Sequence, residues 1–286
     1  MKITHAIAPV LALIAGGGAI AQAGPQTDLF AYSEGTRIVQ YPPDAPLHYM
    51  DASPLNLIDG SATTDWTGEA AQPAIFVFEL AERTELSRVS FDTAGLNRDT
   101  KSPRAVRVEV SDTSSRSGFE PVLSATLRMK ANGQSFAFAP DKRPVGRWVR
   151  LTVQSNYGDD YTGFTGFHGF GRQLTQQASM PDVTGSYEGW SGWGRLNLVQ
   201  QGDQVTGCYA HENGRVSGVV VGRVLKLDML QTPPGGPVRR MRGYFGVSPD
   251  GRQLIGIARG TSSSDQLGYA TYMSADKTGS RAGSCG

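Results

Sequence analysis

Apolar residues between positions 55 and 171 fall in short alternating runs separated by long polar loops. Ala74 to Leu80 reads Ala-Ile-Phe-Val-Phe-Glu-Leu, which predicts a strand buried on both faces except at Glu79. Val106, Val108 and Val110 alternate with Arg107 and Glu109, the pattern of a half-buried strand. Phe136 and Phe138 mark another. In Trp148 to Val153, Val149, Leu151 and Val153 share one face and Arg150 and Thr152 the other. No helical stripe of any length interrupts them, so the pattern predicts a β-sandwich. The stretch Arg172 to Asp182 has no period and reads as a linker.

From Gly185 onward the pattern tightens. Leu196 and Leu198 alternate ahead of the turn Gln201-Gly202-Asp203. Val205, Gly207 and Tyr209 alternate ahead of Glu212-Asn213-Gly214, and Val216, Gly218 and Val220 follow. Leu225, Leu227 and Met229 precede the Pro233–Gly236 loop. Met241, Gly243, Phe245 and Val247 then lead to Pro249-Asp250-Gly251, and Leu254, Gly256 and Ala258 come after it. Asn-Gly and Asp-Gly between alternating runs signal hairpins. A Gly inside a strand marks a bend or a close backbone approach. These features predict a small antiparallel up-and-down barrel or meander of about seven strands. The chain is thus expected to be all-β, with a sandwich over 24–171, a linker over 172–182 and the barrel or meander over 183–286.

Composition adds export. Lys2 precedes an apolar or small-residue run from Ala6 to Ile20, and Ala21-Gln22-Ala23 supplies a small-x-small cleavage pattern. The run is shorter than the ~20 residues a spanning helix needs. Residues 1–23 are therefore expected to be a cleaved signal peptide, and the mature chain to be periplasmic or secreted. Of 27 basic and 26 acidic residues, 15 and 18 lie in 24–175 and 11 and 8 in 176–286. The near-neutral total argues against a nucleic-acid partner. The two cysteines, Cys208 and Cys285, exclude a four-Cys zinc site. In an oxidising compartment they are expected to pair, tying the tail to a barrel strand.

Residues 57–66, Leu-Ile-Asp-Gly-Ser-Ala-Thr-Thr-Asp-Trp, resemble the opening signature of the discoidin family, the coagulation-factor type-C domains with a galactose-binding-like jelly roll. Asp59, Gly60, Thr64 and Trp66 match its pattern of Asp-Gly, a short polar turn and Thr-x-Trp. A hydrophobic strand ending in Leu80, then Leu86–Phe91, Val106–Ser111, Trp148–Leu151 and a closing Phe170-Gly171 follow in the family's order. The resemblance covers roughly residues 28–171. It implies an exported binding module, most often for sugars and sometimes for lipid headgroups or proteins, with Trp66 and Trp148 in the core. The second half is similar to a small β domain that accompanies such modules in bacterial envelope proteins.

Many members of the family hold a structural calcium at the Asp-Gly turn with an acidic residue near the last strand. Here Gly166 or His168 stands where that acid belongs, and Ser61 fills the third turn position. Asp59 and Asp65 are the carboxylates left for calcium, which wants six to eight oxygen ligands. Calcium is disfavoured, and the alternative is that Asp59 and Thr64 cap the turn by hydrogen bonds. No other cofactor is expected.

No His-x-x-x-His, Gly-x-Ser-x-Gly or phosphate-loop spacing occurs, and Asp159-Asp160 reads as a solvated loop. The chain is expected to be non-enzymatic. Sugar sites need an aromatic face with planar donors around it. Two loops offer these groups: Leu96–Arg104, with Arg98 and Lys101, and Ser155–Thr162, with Asn156, Tyr157 and Tyr161. Arg98, Asn156 and Tyr157 most resemble the sugar-binding positions of relatives. Trp190 and Trp193 either plug the barrel end or line its mouth. The expected partner is an envelope carbohydrate. The competing readings are a structural or protein-interaction role without sugar, and an accessory part of a hydrolase.

Overall fold

The computed structural model describes residues 26–43, 52–70, 73–175, 180–188, 194–261 and 270–284, with only the backbone of 270–273. The expected leader, His48, Trp190, Trp193 and Cys285 lie outside the described residues. Among them no helix is long and apolar enough to cross a membrane.

The first half is a sandwich. Its main sheet runs β1 (Arg37–Gln40), β3 (Ala74–Asp92), β7 (Val145–Asn156), β4 (Pro103–Ser111) and β5 (Glu120–Thr126). β6 (Gln134–Ala137) and β9 (Gly166–Gln173) pair with the far half of β3. A second layer pairs β2 (Trp66–Glu69) with β8 (Tyr161–Phe164). The alternation in β3 and β7 delivers Phe76, Phe78, Val149, Leu151 and Val153 to the interior with no exposed surface. Trp66 packs edge-on against Phe76 at 4.6 Å between ring centroids, a geometry that aromatic quadrupoles favour. Trp148 departs from expectation. It alternates with Val149, which takes the core face, so the indole is half-buried on the other side beside Arg147.

The second half is a closed barrel of eight antiparallel strands in sequence order: β10 (Gly185–Glu188), β11 (Leu196–Gln201), β12 (Gln204–Tyr209), β13 (Gly214–Val221), β14 (Val224–Gln231), β15 (Arg239–Val247), β16 (Gln253–Gly260) and β17 (Ala270–Gly279). Pairing of β10 with β17, Tyr187 opposite Lys277, closes the ring. The barrel therefore has one strand more than the hairpin count suggested. β17 is hard to read because, of its described side chains, only Ala275 is buried. Gly218 and Gly256 do what in-strand glycines predict: a Cβ on either would run into the carbonyl of Lys226 or Tyr244 on the next strand.

The two halves share a buried seam. Ile255 and Ile257 point outward from the barrel, alternating with Leu254 and Ala258, yet are 4% exposed because they join the sandwich's hydrophobic cluster. Tyr244, opposite Ile257 on β15, packs there too. Gly35, at φ +86°, ends the turn Tyr32–Glu34. A Cβ there would meet Val224 at 3.0 Å and the Arg223 carbonyl at 3.1 Å.

At the centre of this seam is Glu79, the position expected to be exposed. It lies beside Arg37, its cross-strand neighbour on β1, in a short ion pair. Arg223 reaches Glu79 Oε1 from the barrel at 3.3 Å, and Arg147 reaches it at 3.3 Å. Arg223 is 2% exposed and also donates through Nε to the Val247 carbonyl, at 3.0 Å. Arg37 donates through Nη1 to Gln253 Oε1 on β16. A lone carboxylate could not be buried here without these partners. The barrel covers the face that the pattern of β3 left open.

Candidate functional site

Asp59 closes the short 3-10 turn Pro54–Ile58 and has no exposed side-chain surface. Its Oδ1 accepts the Ser61 amide at 2.7 Å, and its Oδ2 accepts the Thr64 hydroxyl at 2.7 Å. Asp59 thus caps the turn through the Ser61 amide, whereas the Thr64 hydroxyl bonds the Asp59 side chain instead of the backbone. Oδ2 also accepts Arg259 Nη2, from barrel strand β16, at 2.7 Å. Burial pushes the Asp59 carboxyl up; Arg259, Thr64 and Ser61 pull it back only in part. The Asp65 carboxylate instead accepts the Thr67 hydroxyl at 3.0 Å.

Both Asp59 oxygens are therefore engaged, and a guanidinium already supplies the positive charge. Asp65 is directed at a different partner. These residues do not fit calcium, and among the described residues no group of three acidic, His or Cys side chains could hold a metal. We expect the melting temperature of the protein to be the same in calcium and in chelator. A chelator-dependent drop of several degrees would refute this.

His168, at the position where an acid was sought, is held between two carboxylates. Nδ1 lies 2.7 Å from Asp28 Oδ2, and Nε2 lies 3.1 Å from Asp92 Oδ2. Burial opposes charge on the ring. The Asp28 hydrogen bond and the charges of Asp28 and Asp92 outweigh it, and the pKa is raised. A raised folded pKa means that folding favours the imidazolium. The resulting stabilisation is complete below the unfolded value, ~6.5, and is lost as pH rises through the higher folded value. NMR titration should find His168 protonated to higher pH than a free histidine, and His168→Gln should flatten the stability slope between ~6.5 and the higher folded value. A pKa at or below the free value would contradict the arrangement.

The two candidate loops meet at one end of the sandwich. The Tyr157 amide donates to the Thr100 carbonyl at 3.2 Å, and Thr100 Oγ1 donates to Asp159 Oδ2 at 2.7 Å. Arg98 Nη1 pairs with the same Oδ2 at 3.3 Å. The Asp159 carboxyl is held below the usual carboxylate range, first by the Thr100 hydroxyl and further by the Tyr161 amide, Arg98 and Lys101. Asn156 is a turn-builder: Nδ2 donates to the carbonyls of Asp159 and Tyr161, and Oδ1 accepts the Gly158 amide. Its side chain is what shapes the second loop.

The two tyrosines differ. Tyr157 is half-buried, and its hydroxyl donates to the Leu127 carbonyl at 2.6 Å. Tyr161 is 41% exposed. Lys101 Nζ stands 5.5 Å and Arg98 Cζ 6.0 Å from its ring centroid. Arg98 is half-exposed, whereas Lys101 is 8% exposed. The end therefore presents one exposed aromatic ring with one accessible cationic donor, Arg98, beside it and a buried cation, Lys101, close by. Asp159, which holds Arg98, looks like solvated loop in the sequence, because nothing in Asp159-Asp160 shows that Thr100 and Arg98 come to meet it.

No protein-family model matches the chain, and no curated protein matches it. Similar solved structures exist. A family 32 carbohydrate-binding module from Clostridium perfringens, in complex with galactose, is 11% identical, covers 51% of this chain and 99% of its own, and has a TM-score of 0.42. A family 32 module from Streptococcus pneumoniae is 15% identical, with 51% and 100% covered and a TM-score of 0.40. An F5/8 type C domain from Bacteroides fragilis is 18% identical, with 42% and 80% covered and a TM-score of 0.35. The chain is similar, over about half its length, to family 32 carbohydrate-binding and F5/8 type C domains, and the second half is not addressed by them.

Proposed function

We propose that the protein is an exported, non-enzymatic binding protein whose sandwich takes carbohydrate in the bacterial envelope. The observation that carries this reading is the loop end of the sandwich. The exposed Tyr161 ring offers a face for the apolar side of a sugar, and the half-exposed Arg98 beside it is the donor for its hydroxyls, with the buried Lys101 adding positive charge nearby. Arg98 is held by Asp159, whose loop is shaped by the Asn156 turn, before a ligand arrives, which reduces the ordering cost of binding. The leader pattern in residues 1–23 supports export to the periplasm or beyond. A glycan array probed with the mature chain tests the reading. Selective binding to a sugar class is expected, and silence across neutral and acidic glycans would overturn it.

An oxidising destination also implies a Cys208–Cys285 disulfide. Cys208 is buried in β12, and Cys285 lies outside the described residues. We expect fewer than ~0.2 free thiols per chain in the native protein. A count near two would exclude the bond.

A further inference from the structure

The outer face of β13, β14 and β15 carries a hollow of about 490 Å³, lined among others by Arg215, Ser217, Asp228, Leu230, Arg240 and Arg242. Register puts Arg215, Leu230 and Arg240 in one row across three strands, and Ser217, Asp228 and Arg242 in the next row on the same face. Among the described residues, the acids near this face are already matched. Asp228 pairs with Arg242 at 3.0 Å, and Glu212 pairs with Arg239 at 3.2 Å. Arg215 and Arg240 are exposed, and among the described residues neither side chain has an ion-pair partner. The hollow thus has a surplus of positive charge at two points, with half-buried Leu230 between them.

We propose that this hollow binds an acidic polysaccharide, with carboxylate or sulfate groups of the chain on Arg215 and Arg240 and a sugar ring over Leu230. Two strand spacings put the arginine backbones about 10 Å apart. That spacing suits successive anionic groups along a polymer better than one small anion. A guanidinium fork binds such groups in bidentate fashion. Non-specific binding of single-stranded nucleic acid relies on aromatic rings on which bases stack. The described lining of the hollow contains none, which favours the glycan. This site is on the barrel and is independent of the sugar site on the sandwich.

The test is retention of the full chain on polygalacturonate, with neutral galactan as reference, at low and at physiological ionic strength. Wild type should be held by polygalacturonate more weakly as salt rises. The double variant Arg215→Gln, Arg240→Gln should bind at least about tenfold more weakly with an unchanged melting temperature, since both side chains are exposed. Arg195→Gln, which removes a cation from elsewhere on the barrel, should bind like wild type. The proposal is overturned if wild type is not retained at low salt. It is equally overturned if the double variant binds like wild type, if Arg195→Gln costs as much, or if a single-stranded oligonucleotide is held more tightly than polygalacturonate.

Discussion

Glu79→Ala should lower the free energy of unfolding by about 3–5 kcal/mol, the cost expected when one member of a buried ion pair is removed. Arg37 and Arg223 are 5% and 2% exposed, and both point at this carboxylate. With Glu79 gone, both remain buried without their counter-charge, and the repulsion between them falls on the seam joining sandwich and barrel. Glu79→Gln should recover only part of the loss, because an amide keeps one acceptor oxygen but sets its NH2 against the other arginine and lacks the charge. Glu85→Ala is the control. That carboxylate pairs with Arg143 and Arg172 on the surface, where such pairs contribute about 0–1 kcal/mol. Urea unfolding read by tryptophan fluorescence measures all three. If Glu79→Ala and Glu85→Ala lie within 1 kcal/mol of each other, the network does not hold the two halves together.

Tyr161→Ala should abolish measurable binding of whichever sugar the array identifies, with little change in stability, because the ring is exposed. Arg98→Ala should weaken binding by about 1.5–3 kcal/mol, as a lost hydrogen bond from a charged donor does. Tyr157→Ala should behave differently. Its hydroxyl donates to the Leu127 carbonyl, and losing that partner leaves a half-buried acceptor unsatisfied, at about 1–3 kcal/mol of stability. Calorimetric binding beside thermal melts separates the two tyrosines. Wild-type affinity in both Tyr161→Ala and Arg98→Ala would place the sugar elsewhere.

The Asp59–Arg259 ion pair shows how far the local signature reaches. Asp59, Gly60 and Thr64 sit next to each other in the chain, so their hydrogen-bonded turn is readable as a short-range pattern. Arg259 is 200 residues away. Nothing near it in the sequence distinguishes it from any solvated arginine on the outer face of a strand. The sequence disfavours calcium because an acid is missing; the guanidinium that meets the Asp59 carboxylate comes from the barrel.

Amphipathic alternation by itself determined that the chain is all-β, that Phe76, Phe78, Val149, Leu151 and Val153 face a core, and that tight turns set apart a second, strongly bent sheet. These follow from a side-chain period of two along a strand, which is local. Tertiary structure alone decided the rest. Ile255 and Ile257 read as the exposed side of a barrel strand, and Glu79 as the exposed position of a sandwich strand; each is buried because the other half of the molecule covers it. The sequence favours Tyr157 over Tyr161 as the sugar-facing ring, and the structure reverses the choice: the Tyr157 hydroxyl is pinned to the Leu127 carbonyl, while Tyr161 keeps 41% of its surface exposed. Alternation reports which side of its own sheet a residue takes. It carries no information about what a second domain, folded from distant residues, later lays over that side.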